Sequence, residues 1–313
     1  MKKPALTIAA LAAVSVLALA ACGSANPGGS GSGTGGAAPA VTLGLAVSTL
    51  NNPFFVSLRD GAQAAADKAG AKLTVTDARD DATQQADQVL NFQTQQLDGV
   101  IINAVDSDAA GPIVSPLITA GTPVVAVDRA VNGAKVNAFV SSDNVKGGSL
   151  AADALAKAIG EKGEILVLEG VAGTSAARER GQGFTTGIAA HPGIKVVATQ
   201  PADFDRVKGL DVATNLLQAH PSVVGIFAEN DEMALGAIQA LGDRAGKTVF
   251  VVGFDGTADG KTALGAGTLS ASIAQQPEEL GRASVEAALN LINGKTVEAT
   301  VSVPVVVLTK DSK

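Results

Sequence analysis

The chain has 313 residues, 46% hydrophobic and 17% charged, enough apolar material for a sizeable core, which excludes a disordered polymer. A formal net charge of −7 argues against a nucleic-acid binder, whose partner demands a basic face. One cysteine excludes an internal disulfide or a cysteine metal cluster, and without Trp or Tyr any aromatic ligand contact must come from the nine Phe.

Taken from the start, Lys2 and Lys3 precede an apolar stretch from Ala5 to Ala21 broken only by Thr7 and Ser15. This is the layout of a secretory leader over residues 1–21, short for a spanning helix of ~20 residues. Leu19-Ala20-Ala21-Cys22, followed by Gly23, resembles the bacterial lipobox. That likeness implies cleavage before Cys22, acylation of its thiol and a membrane-anchored protein working outside the cytoplasm. Residues 22–40 then form a Gly/Ser/Ala/Pro-rich tether. As a random coil it spans roughly 23 Å, enough to hold a folded body just off a membrane.

After Val41 short apolar runs alternate with amphipathic segments. Strand-like runs fall at Thr42 to Val47, Leu73 to Thr76, Val100 to Asn103 and Val124 to Val127, with helical stretches at Phe55 to Ala69 and Thr83 to Gln95. The rhythm restarts after Ser141. Runs at Ile165 to Leu168, Lys195 to Ala198, Val223 to Ala228, Val249 to Val252 and Leu269 to Ile273 are separated by helical stretches such as Asn144 to Ile159, Ala176 to Ala190 and Arg206 to Ala219. Strands alternating with helices indicate parallel βαβ units, and near-continuous Val/Ile/Leu strands indicate sheets covered on both faces. The expectation is an α/β protein of two doubly wound parallel-sheet lobes. A helix over Pro277 to Asn293 and a run over Val301 to Leu308 complete the chain.

Ligands of open parallel sheets bind beyond the carboxyl ends of the strands. Those positions are polar here: Ser48 to Asn52, Asp128-Arg129, Glu229 to Asp231, Gly253 to Gly256 and Gln275-Gln276. Two such lobes facing each other make a cleft for a small polar ligand. Sugar hydroxyls both donate and accept, so Asp, Asn, Arg and Gln suit them. Phe54, Phe55 and Phe204 offer flat faces for the C–H side of a sugar ring.

The runs Ser48-Thr-Leu-Asn-Asn-Pro-Phe-Phe-Val-Ser57, Ala172-Gly-Thr-Ser-Ala-Ala-Arg-Glu-Arg-Gly181, Gln200-Pro-Ala-Asp-Phe-Asp-Arg206, Asn230-Asp-Glu-Met-Ala-Leu-Gly236 and Val252-Gly-Phe-Asp-Gly256 resemble those of the bacterial ribose-binding family. The likeness runs from Val41 to the C-terminus. It implies the type I periplasmic-binding-protein fold, with a three-segment hinge joining a lobe of 41–141 plus about 276–304 to one of 142–275 plus about 305–313. It further implies a ribose pocket of Asn52, Phe54, Phe55, Asp128 and Arg129 from the first lobe. Arg178, Phe204, Asn230, Asp255 and Gln275 would come from the second. The closed form is expected to dock, as a monomer, on the membrane permease of an ABC transporter, with a chemoreceptor as a further candidate partner. Neither cofactor nor metal is implied.

Taken singly, these residues have plainer readings. Asp128-Arg129 could be a surface ion pair, and Asn52, Asn230 and Asp255 could be helix caps. Rival classes are weaker. A sugar-responsive repressor would need a DNA-binding helix-turn-helix where the leader and tether stand. An enzyme on this fold finds no nucleophile with a His base nearby, since His191 and His220 each precede a Pro at an expected surface position. Gly31-x-Gly33-x-x-Gly36 falls in the tether, and Gly256 to Thr262 is one residue short of a phosphate loop. Within the binding class the alternative is another small sugar or a furanose-like signal.

Overall fold

The computed structural model describes residues Ala40 to Ser312. The leader, Cys22 and the tether up to residue 39 lie outside the described residues.

Five strands open the first lobe: β1 (Thr42–Val47), β2 (Lys72–Asp77), β3 (Gly99–Ile102), β4 (Val124–Val127) and β5 (Ala138–Ser142). They lie in the order β2-β1-β3-β4-β5, all parallel, with β11 (Thr300–Val303) added parallel to β5. The second sheet repeats that order with β6 (Gly163–Glu169), β7 (Ile194–Pro201), β8 (Gly225–Ala228), β9 (Phe250–Asp255) and β10 (Ala271–Ala274). Its last member, β12 (Val306–Leu308), pairs antiparallel with β10. The rhythm that restarts in the sequence is therefore one topology built twice.

Parallel strands need crossovers, and helices supply them. They are α1 (Pro53–Ala69), α2 (Ala82–Thr94), α3 (Ala110–Thr119), α4 (Asn144–Ala158), α5 (Ser175–Ile188), α6 (Arg206–Ala219), α7 (Asp231–Leu241), α8 (Ala258–Ala266) and α9 (Pro277–Ile292). Apolar clusters fill both faces of each sheet, and β3 and β4 are buried throughout. This is why those strands read as unbroken Val/Ile/Ala runs rather than alternating ones.

The chain passes between the sheets three times: from β5 into α4, from β10 into α9, and from β11 into β12. The last passage divides the single run expected over Val301 to Leu308. Pro304 has no N–H to give a ladder, so β11 ends before it and β12 begins in the other sheet. The sequence pattern sets no bounds for β5, α3, α7 or α8, though reading Asn230 and Asp255 as caps implies helices after β8 and β9; Asn230 does cap α7, while Thr257 caps α8. In α3 the breakers Pro112 and Pro116 conceal the helical pattern.

Candidate functional site

Helix α1 shows how local sequence rules build the site. Asn52 Oδ1 accepts the backbone N–H of Phe54 at 2.9 Å, Pro53 opens the helix and Gly70 closes it with φ 68°. This fixes Phe54 and Phe55 in the first turn, edge to face with ring centroids 5.2 Å apart. In the second lobe α4 and α5 pack very closely. A Cβ on Gly183 would lie 2.0 Å from the Val145 carbonyl oxygen, so only glycine allows the approach. That contact brings Arg180 Nε within 2.9 Å of Asn144 Oδ1.

A small cavity lies between the lobes. The first lobe lines it with Asn52, Phe54, Phe55, Asp128 and Arg129. From the second come Ala176, Arg180, Phe204, Asn230, Asp255 and Gln275. All stand at the carboxyl ends of strands or on the helices that follow, around the points where each strand order reverses.

One expected residue is misplaced. Arg178 is exposed on the outer side of α5, and Arg180 occupies the position expected of it. Residues two apart on a helix point about 200° away from each other, so only one arginine of the pair can face the cleft. Ala176 and Arg180, four apart, share the face turned to the cavity. His191 and His220 are half-buried rather than at the surface, and neither lines the cavity.

Asp128 and Arg129 are each 3% exposed, which removes the reading of a surface ion pair. Asp128 Oδ2 accepts from Asn103 Nδ2 at 3.1 Å, and Asn103 Oδ1 accepts the Ser48 N–H. Sequence reasoning overlooked Asn103, a buried side chain at the end of β3 that orients Asp128. Arg129 Nη1 donates to the Ala104 carbonyl at 3.0 Å, while its Nε stands 3.8 Å from Asp128 Oδ2. Across the cleft, Arg180 Nη1 donates to the Glu229 carbonyl at 2.7 Å and lies 3.5 Å from Asp255 Oδ1. Gln275 Nε2 donates to that same Asp255 oxygen at 2.7 Å. The Phe204 ring bridges the lobes, 5.7 Å from the Arg129 guanidinium and 5.6 Å from that of Arg180. Asn230 both caps α7, accepting from the Met233 N–H, and donates to the Phe204 carbonyl.

Three buried polar atoms of lining residues have no hydrogen-bond partner: Asp128 Oδ1, Arg129 Nε and Gln275 Oε1. Each such atom costs about 1–3 kcal/mol unless something meets it. Burial drives Asp128 upward from the usual carboxylate range against the opposing pull of Arg129, and lifts Asp255 to about 8 against Arg180. Burial likewise lowers Arg129. Backbone strain gathers here too, with φ 64° at Asp128, 59° at Phe204 and 109° at Asp255. Two acceptors and a donor around a closed space, under aromatic faces, suit a ligand dense in hydroxyls.

Residues 43–296 match the model of the periplasmic binding protein domain. The chain belongs to the periplasmic binding protein family. It is 49% identical to the ribose import binding protein of Escherichia coli (strain K12) over 258 residues, 82% of this chain and 87% of that protein. With the ribose import binding protein of Bacillus subtilis (strain 168) it shares 46% over 263 residues, 84% of this chain and 85% of the other. Among solved structures, an ABC transporter periplasmic solute binding protein from Actinobacillus succinogenes with bound D-allose superposes with a TM-score of 0.82. Its identity is 34%, over 87% of this chain and 98% of that one. As a periplasmic binding protein the chain works outside the cytoplasm and is not an enzyme. Its two lobes have the type I fold of that family.

Proposed function

We propose that this periplasmic binding protein captures D-ribose and delivers it to the permease of an ABC transporter. The observation that carries the sugar reading is the interlobe cavity whose three unpartnered polar atoms belong to both lobes. Ribose is favoured over other sugars by the identity to two ribose import binding proteins across most of the chain. In this reading Asn52, Phe54, Phe55, Asp128 and Arg129 meet the sugar from one side. Arg180, Phe204, Asn230, Asp255 and Gln275 meet it from the other.

A ligand shifts an open–closed equilibrium only by its differential affinity for the two forms. Sugar hydroxyls that satisfy atoms of both lobes do so only when the lobes are together. Ribose therefore drives closure, and the closed pair of lobes presents the surface that the permease reads. Acylation at Cys22 would hold the carrier, working as a monomer, to the membrane on its tether. No sugar chemistry is involved.

Titration calorimetry against ribose, D-allose, other pentoses, glucose and galactose tests the assignment. Ribose should bind tightest. Tighter binding of D-allose, the ligand of the Actinobacillus structure, would move the assignment to that hexose.

A further inference from the structure

A buried carboxylate that the pocket does not use stands directly behind it. Asp231 opens α7, next to Asn230, and has no exposed surface. Its Oδ1 accepts from Ser272 Oγ at 2.7 Å, and its Oδ2 accepts from the backbone N–H of Thr257 at 2.8 Å and from Thr257 Oγ1 at 3.1 Å. Ser272 Oγ in turn accepts the N–H of Gly256 at 3.0 Å. The two residues after Asp255 are thus tied, directly or through one hydroxyl, to a single carboxylate.

That turn needs holding. Asp255 has φ 109° and Gly256 φ 72°, and the first of these is a conformation that residues with side chains rarely adopt. Room for the carboxylate is left on two sides. A Cβ on Gly253 would lie 2.4 Å from Asp231 Oδ1, and one on Gly260 would lie 2.2 Å from Oδ2. An amide could mimic the carboxylate, with its oxygen toward Thr257 and its NH₂ toward the Ser272 hydroxyl turned to accept, so only removal of the side chain breaks all three bonds.

We propose that Asp231, acting with Ser272, is a positioning residue for ligand capture. It locks the Asp255–Thr257 turn in the strained form that aims the Asp255 carboxyl into the cavity, and it does not touch the sugar. The proposal rests on the pocket reading above.

The test is a double-mutant cycle on ribose binding, read by calorimetry, with thermal melting of the unliganded protein alongside. Asp231→Ala, which removes every bond to Thr257 and Ser272, should weaken ribose binding by at least about tenfold in the wild-type background. In an Asp255→Ala background the same change should cost less than about threefold, because the residue it positions is already gone. Equal losses in both backgrounds would overturn the proposal, leaving Asp231 a general support of the second lobe. Should Asp231→Ala fail to fold, Ser272→Ala and Thr257→Val enter the same cycle with the same criterion. Failure of the pocket reading is separately visible: Asp255→Ala alone would then leave ribose affinity unchanged.

Discussion

Ser107 and Ser175 fasten the two lobes to each other without any ligand atom. The Ser175 backbone N–H donates to Ser107 Oγ at 3.1 Å, and Ser175 Oγ accepts the N–H of Ala130 at 2.8 Å. The Ser107 N–H completes the contact by donating to the Gly173 carbonyl at 3.1 Å. These bonds run from one lobe to the other, so parting the lobes would break them, and they favour the joined form whatever the sugar. Ser175→Ala should weaken every bound sugar by a similar factor, about 2- to 12-fold for one lost neutral hydrogen bond. Calorimetry with two sugars checks it, and a loss confined to one of them would contradict the sugar-independent role.

Asp128→Ala should weaken ribose binding by at least ~2 kcal/mol, since a buried charged acceptor disappears and Asn103 Nδ2 loses a partner. Affinity near that of the wild type would remove Asp128 from the pocket.

The two arginines of α5 should separate sharply. Arg178→Ala, at an exposed position outside the cavity, should change ribose affinity by no more than ~0.5 kcal/mol. Arg180→Lys should cost far more, because an ammonium cannot bond at once to Asn144, the Glu229 carbonyl and Asp255. Equal effects in calorimetry would show that both or neither act in binding.

Glu229 predicts a pH dependence of stability. Burial pushes its carboxyl up to about 8, although the Gly170 N–H and Arg180 pull the other way. The folded protein therefore holds a proton that the unfolded chain, with an ordinary glutamate near 4.5, has released. The stabilisation is complete below about 4.5 and is lost as pH rises through about 8. Melting temperatures of the unliganded protein should fall between pH 5 and pH 9, less steeply in Glu229→Gln. Part of the slope should remain, because burial also raises Asp255, to about 8, and Asp231, to about 6. An unchanged slope in the variant would show that Glu229 is already ionised in the fold.

If Cys22 carries the lipid, Cys22→Ser should move the protein from the membrane fraction to the soluble one. A wild-type protein already soluble in its native cell would contradict the anchor.

Much of this molecule was legible in its sequence, because the cues are local and periodic. Asn52 before Pro53, buried strands of Val and Ile, and polar residues beyond each strand led to two parallel lobes and to the composition of the cleft. What escaped depends on orientation or long-range contact. Choosing Arg180 over Arg178 needed the rotation of α5, which is fixed by its packing on α4. Asn103 gave no local signal, and Asp231, though among the polar residues beyond a strand, gave none of its role, because their importance lies in partners far along the chain. The division of the last strand at Pro304 depends on where two separate sheets end.

That division has a consequence for synthesis. Leu280, Val285, Ala287, Ala288 and Val303, all from the end of the chain, belong to the apolar cluster that packs against β1 and α1 at its beginning. A chain emerging N-terminus first therefore cannot finish its first lobe until the second, up to β10, has been made. Until its final residues appear, the polypeptide keeps an incomplete core, a state in which it could still be threaded through a membrane.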